Sequence, residues 1–256
     1  IISIHNAASL FHDRVVLDPI DLTHMQTAQQ HTTDIFTDCC QHLSEFSKET
    51  EVAGFIKGQI LSSSCYGQSF PAIVASEKNA TILHYRYHCD VLHPNALLLL
   101  DFGCRVFTMP ADISRTIPVN GTFNPLQACL YTCVLNTQCY VERHVKAGVS
   151  IELLNELCWT YLEEQLDTYF IQKGGQMTRA YIKQPHHVGH LIGHMVHDGD
   201  PSRDYRHEPL KPNMIISNEP GLYGEFTWNY DGVMYHEHIG IRIEDNLLIT
   251  EDGCQN

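Results

Sequence analysis

Nowhere in the 256 residues does an apolar run approach the roughly 18 residues that a membrane-crossing helix needs; "ALLLL" at 96–100 is far too short. No secretory signal is visible, and the chain opens on Ile1 and not on Met, so a processed or excised piece is expected. Basic residues are scarce. Sixteen Lys and Arg stand against thirty Asp and Glu, and the resulting charge of −14 argues against a nucleic-acid partner, whose phosphates require a basic face. None of the ten cysteines forms a CxxC pair, and they are scattered from Cys39 to Cys254, which favours a reducing, cytoplasmic setting over a disulfide framework. Disorder is excluded by a hydrophobic content of 43% against 18% charged.

What remains is an ordinary globular chain. Residues 21–46 contain no Gly or Pro, and their apolar positions recur at helical spacing, predicting one long helix. Further helices are expected over 49–61, 125–146 and 150–166, the last with Ser150 as N-cap. Strands are expected at 70–76, 81–85 and 96–103, and then at 186–197, 213–221 and 239–250. No low-complexity linker or internal repeat interrupts this order, so a single α+β domain is expected.

The polar residues cluster unusually. Five of the seventeen histidines (His186, His187, His190, His194 and His197) fall within "QPHHVGHLIGHMVHDGD" at 184–200. Asp101 closes the apolar run "LLLLD" and Asp112 follows eleven residues later. An ionisable side chain beside a buried strand is costly unless it is paired or bound to a cation. If 97–101 and 111–116 form an antiparallel hairpin, both carboxylates can share one face. Glu219 and Glu244 also end apolar, strand-like runs. Taken with one imidazole, four carboxylates balance two divalent cations, and oxygen-rich ligation with one His favours Mn²⁺, Co²⁺, Fe²⁺ or Zn²⁺. Two such cations roughly 3.5–4 Å apart can acidify a shared water and polarise a scissile carbonyl.

Five motifs, "HYRYHCDVLHPNALLLLDFG", "ADISRTIPVNGTF", "PHHVGHLIGHMVHDGD", "MIISNEPGLY" and "GIRIED", give the sequence from about residue 15 onward a resemblance to the pita-bread metallopeptidases. Within them it is most similar to the branch of Xaa-Pro aminopeptidases and Xaa-Pro dipeptidases. The resemblance implies a curved antiparallel sheet covered by helices and a dinuclear centre, Mn²⁺ being the first choice. Asp101, Asp112, His190, Glu219 and Glu244 would be the metal ligands, with Asp112 and Glu244 bridging. His186 and His197 would contact substrate and stabilise the tetrahedral oxyanion. Glu219 would also carry a proton to the leaving nitrogen. His84, seventeen residues before Asp101, would face substrate, with Tyr223 lining the site and Arg242 orienting its acids. His187 and His194 depart from the small or apolar residues that relatives usually carry.

The expected function is hydrolysis of the bond between an N-terminal residue and proline, with proline-containing peptides as partners and neither nucleic acid nor membrane involved. A methionine aminopeptidase-like enzyme, or a non-catalytic peptide-binding module of the same fold, is the alternative. His186 and "GIRIED" favour the Xaa-Pro branch. The whole chain, 1–256, is expected to be one catalytic domain lacking the family's usual N-terminal domain, whose full-length form would be a homo-oligomer.

Overall fold

The computed structural model describes residue 11, residues 14–173 and residues 176–256. Two helices come first, α1 (Pro19–His42) and α2 (Glu49–Ser62). They are followed by β1 (Gly67–Gln68), β2 (Ile73–Ser76), β3 (Leu97–Phe102), β4 (Cys104–Val106), β5 (Met109–Pro110) and β6 (Ile113–Pro118). Helices α3 (Pro125–Glu142) and α4 (Ile151–Lys173) lead into β7 (Gln176–Tyr181) and β8 (Leu191–Ile192). The last strands are β9 (Ile215–Asn218), β10 (Gly221–Tyr230), β11 (Val233–Arg242), β12 (Asp245–Ile249) and β13 (Cys254–Gln255). Antiparallel pairing gives the orders β2-β3-β6, β13-β12-β9-β8, β11-β10-β7 and β1-β4-β5.

Helix starts follow local chemistry. The Asp18 carboxylate accepts from the backbone N–H of Ile20 and Asp21 with Pro19 at the first helical position, which moves the start of α1 two residues ahead of expectation. Asn124 and Gln127 close a capping box around Pro125. Ser150 Oγ accepts from Leu153 N–H at 3.2 Å, as an N-cap should.

Strand alternation sets the two faces of β3. Leu98, Leu100 and Phe102 join Ile35, Phe36, Val52, Ile56 and Ile60 under α1 and α2. Leu97, Leu99 and Asp101 therefore point to the opposite face. Asp101 pairs with Ser114 on β6, so Asp112, two residues earlier, shares its face. The larger core packs α3 and α4, through Leu130, Val134, Leu154 and Trp159, against Leu222, Phe226, Trp228, Ile241 and Leu247.

Four of the expected strands need correction. Residues 81–85 form no strand: a 3-10 turn spans Glu77–Thr81, and the segment is held by side-chain hydrogen bonds to Glu49 in place of a ladder. The expected strand at 186–197 shrinks to Leu191–Ile192, because Asp198 turns the chain by accepting from the N–H of Met195 and Gly199. The runs 213–221 and 239–250 are each broken, β9 ending before Glu219 and β11 ending before Glu244. One hairpin went unforeseen: β10 and β11 turn through Asp231 and Gly232, both at positive φ. Asp-Gly is a strong local signal for such a turn.

Gly189 marks a close approach. A Cβ there would be driven into the carbonyl oxygen of Ser217, whose N–H and Oγ hold the backbone of the adjacent His190. Gly189→Ala is therefore expected to destabilise the fold by about 1–3 kcal/mol, read as a lowered denaturation midpoint. An unchanged midpoint would mean that β9 can move aside freely.

Candidate metal centre

The breaks between strands carry the polar cluster. Asp101 lies near the end of β3 and Asp112 just before β6; His190 precedes β8, Glu219 follows β9, and Glu244 sits between β11 and β12. Asp101, Asp112, His190 and Glu244 are buried. Their ligand atoms form overlapping groups, each within 4.8 Å: Asp101, Asp112 and Glu244; His190, Glu219 and Glu244; Asp112, His190 and His197. Glu244 belongs to both groups that contain a second glutamate or Asp101, and Asp112 is likewise shared. His190 Nε2 lies 3.5 Å from Asp112 Oδ2 and 3.5 Å from Glu219 Oε1. Its Nδ1 donates to the Leu191 carbonyl at 3.2 Å, which leaves Nε2 as the lone-pair nitrogen facing the carboxylates.

Electrostatics show what this donor set wants. Burial pushes the Asp112 carboxyl well above its usual range, and the charges of Asp101 and Glu219 push it further. Burial, then Asp112 and Glu219, do the same to Glu244. Asp101 is raised by burial despite Arg242, whose Nη2 donates to Oδ2 at 2.6 Å. Its other oxygen is buried without a hydrogen-bond partner. For Glu219 burial also acts upward, but His186, His190 and Arg242 outweigh it and leave the group low. Carboxylates crowded in this way need protons or cations between them. An unpartnered buried oxygen, shared acids and one oriented imidazole fit a pair of divalent cations.

A hydrogen-bonded chain backs the cluster. Arg242 Nε donates to Ser114 Oγ at 2.9 Å, and Nη1 donates to Tyr223 OH at 3.1 Å. Tyr223 OH then donates to His186 Nε2 at 3.0 Å, and His186 Nδ1 donates to the His187 carbonyl at 2.8 Å. Ser114 Oγ passes its own hydrogen to Glu244 at 2.7 Å. His197 stacks edge-on against His190, ring centres 4.1 Å apart. His84 lines a cleft of about 590 Å³ that is also lined by Asp101, Asp112, His186, His190, His197, Glu219, Arg242 and Glu244. The remaining two histidines lie outside these ligand groups. His187 sits at the rim, 3.9 Å from Glu152, and His194 bonds Thr108 Oγ1 at 2.9 Å.

Sequence reasoning missed the residues behind the ligands. Ser114 was legible as the residue two after Asp112, on the same strand face. Asn246, which accepts from Asp112 N–H at 3.0 Å and donates to its carbonyl at 2.6 Å, stands two after Glu244. Arg86, Arg203 and Arg206 line the cleft mouth of this acidic chain, and no local pattern announces them.

The sign of the acid shifts gives a test. Asp112 and Glu244 hold protons more tightly folded than unfolded. Their contribution therefore favours the fold at low pH and is lost as pH rises through the raised values. In chelator-treated protein, Asp112→Asn should melt higher than the parent, by a margin that grows from pH 4 to 8. A divalent cation at a hundred times its Kd should add about 2.7 kcal/mol to the parent and much less to the variant. A pH-independent margin would show that the carboxylates do not repel.

Residues 23–251 match metallopeptidase family M24. Intermediate cleaving peptidase 55 of Saccharomyces cerevisiae is 31% identical over 247 residues, covering 95% of this chain and 47% of the yeast protein. Human Xaa-Pro aminopeptidase 3 is 30% identical over 244 residues, 94% of this chain and 48% of the human protein. The chain thus spans about half the length of these curated relatives. Proline aminopeptidase P II from Yersinia pestis superposes with a TM-score of 0.81 at 27% identity, over 97% of this chain and 58% of that one. The α+β pita-bread architecture expected from the motifs is the observed one. With the family match spanning residues 23–251, this chain belongs to metallopeptidase family M24.

Proposed function

We propose that this chain is a catalytic domain that hydrolyses the bond between an N-terminal residue and proline, with a pair of divalent cations as cofactor. The observation that carries the reading is the overlap of the donor groups: the carboxylates of Asp112 and Glu244 each belong to two of them, as acids shared between two ions would. Asp101, Asp112, His190, Glu219 and Glu244 would hold the ions, and four carboxylates with one imidazole suit Mn²⁺, with Co²⁺, Zn²⁺ or Fe²⁺ as substitutes. When bound, the ions supply Lewis-acid activation of water and of the scissile carbonyl. The similarity to Xaa-Pro aminopeptidase 3 supports the substrate class. Residues 1–256 would form a single catalytic domain. Ten free cysteines support a reducing, cytoplasmic setting.

The side chains have separable tasks in this reading. Glu219, held low by its basic neighbours, is an ionised carboxylate that can take a proton from the attacking water and deliver it to the prolyl nitrogen. The Nδ1–H of His186 is spent on the His187 carbonyl, and Tyr223 donates to its Nε2, so its ring is fixed in one tautomer and one orientation. Burial depresses the proton affinity of His186, while the Glu219 carboxylate acts in the opposite sense. His197, beside His190, and His84 both line the cleft and can donate to the substrate carbonyl as its oxygen gains charge. Arg242 ties Asp101, Tyr223 and Ser114 together and so locks the acidic floor. Proline's imide carries no N–H, so recognition must rest on ring shape and carbonyl orientation. Apolar Phe70, Pro71, Ile73 and Leu83 line the same cleft and offer the ring a wall.

Metal-stripped protein re-supplied with Mn²⁺ is expected to release the first residue from Gly-Pro and Gly-Pro-Leu and to leave Met-Ala-Ser intact. Cleavage of Met-Ala-Ser would instead favour a methionine aminopeptidase-like enzyme, and binding without cleavage a non-catalytic module. Asp112→Ala or Glu244→Ala should abolish turnover and reduce bound metal; full activity in either sinks the ligand assignment. His186→Ala should lower kcat by about 10²-fold while metal content holds. Loss of metal from that variant would make His186 a ligand.

A further inference from the structure

One wall of the cleft is lined by Leu83, His84 and Arg86 of the segment 76–92, which after Ser76, the end of β2, contains no further strand, only the 3-10 turn Glu77–Thr81 and a single bridge from Val91 to Lys48. This excursion carries His84. Its backbone cannot be rigid through a sheet ladder, so something else must hold it. That role falls to Glu49, the first residue of α2, which is completely buried.

Five donors from the excursion converge on this one carboxylate. Oε1 accepts from Ser76 N–H at 2.7 Å, from Ser76 Oγ at 2.8 Å and from Asn79 Nδ2 at 3.0 Å. Oε2 accepts from Tyr85 OH at 2.9 Å and from Asp90 N–H at 3.1 Å. The backbone closes the clasp: Glu49 N–H donates to the Asp90 carbonyl at 3.0 Å, and Leu92 N–H donates to that of Ser47 at 2.9 Å. Both ends of the excursion are therefore pinned to the start of α2, where the helix dipole also favours a negative group. Tyr85 extends the link. Its ring packs with Ile73, Leu99 and Tyr223, and its neighbour in sequence is His84 in the cleft.

We infer that Glu49 is a positioning residue for substrate binding: it fixes the 76–92 wall through Ser76, Asn79, Tyr85 and Asp90 and thereby sets where His84 meets the peptide. Glu49 lines no part of the cleft and acts only through this wall. The inference rests on the reading of His84 as a substrate-facing residue. A carboxylate is required because an amide keeps a single acceptor oxygen. Whichever way a glutamine is turned, at least two donors lose their acceptor and face an N–H instead.

The test is a double-mutant cycle on the Mn²⁺-loaded chain with Gly-Pro-Leu. Glu49→Gln should raise KM about tenfold or more, since small misplacements of a substrate-contacting group are costly, with bound metal unchanged. In a His84→Ala background the same substitution should leave KM where His84→Ala put it. Val52→Ala, which opens the same helix's buried face without touching the network, should lower the melting point and leave KM alone. Losses that multiply in the double variant, or an equal KM effect of Val52→Ala, overturn the proposal. If His84→Ala alone has parental KM, the substrate-facing reading of His84 fails, and the proposal with it. A readout free of turnover separates these failures from a chain that cleaves nothing. In protein labelled with ¹⁵N-histidine, the His84 ring resonance should shift in Glu49→Gln and stay put in Val52→Ala. An unmoved His84 resonance overturns the proposal whether or not any peptide is cleaved.

Discussion

Four carboxylates share the floor of one cleft, and their mutual repulsion is the constraint around which the structure is arranged. Asp101, Asp112 and Glu244 are buried and pushed up in proton affinity, and only Asp101 has a direct cationic partner in Arg242. Buried like charges of this kind cost several kcal/mol each unless compensated. The surrounding groups behave as compensation. Arg242 spreads its three donating nitrogens over Asp101, Tyr223 and Ser114, and Ser114 in turn donates to Glu244. His190 presents its lone pair to the acids because the Leu191 carbonyl occupies its other nitrogen. What this framework leaves uncompensated is matched by divalent cations, as membership of a metallopeptidase family implies.

The fold serves that floor by interrupting its strands where the acids stand. Glu219 and Pro220 part β9 from β10, and Ile243 and Glu244 part β11 from β12. A continuous ladder would send alternate side chains to opposite faces. A break frees the carboxylate to turn inward while its backbone still finds a partner: Glu219 N–H bonds the Val188 carbonyl and Glu244 N–H bonds that of Ser114. The long β10–β11 hairpin carries Tyr223 and Arg242 into contact because its register places them two residues apart on one face, Gly221 facing Arg242 and Tyr223 facing Gly240. Rigidity comes from the cores on either side, one under α1 and α2 and one under α3 and α4.

The walls are built differently from the floor. Residues 76–92 hang from Glu49, and the segment 193–199 hangs from Asp198, which accepts from Met195 and Gly199 and pairs with Arg14. In both, a buried acid takes the place of a sheet ladder. Both walls carry histidines toward the cleft, and the mouth is lined by Arg86, Arg203 and Arg206 above an acidic floor. A strong separation of charge thus exists within a chain whose net charge is −14.

Much of the floor was legible in the linear chain. Asp101, Asp112, Glu219 and Glu244 each stand beside an apolar run, which singles out the four acids, whereas the choice of His190 among five neighbouring histidines came only from the family resemblance of the motifs. Helix starts at Asp18, Asn124 and Ser150 were equally local, because a cap is decided within three residues. The Asp231-Gly232 turn was local too, and was simply overlooked. Glu49 could not be found this way. Its partners lie between 27 and 41 residues along the chain, and nothing in "SKETEV" distinguishes it from a surface glutamate. Asn246 and Arg14 reach across 134 and 184 residues. The sequence by itself determined which chemical groups the floor contains, since these are fixed by identity and near-neighbour spacing. Only the tertiary structure decided which acid bonds which donor, because hydrogen bonds join groups that are close in space, and over such separations chain order carries no record of distance.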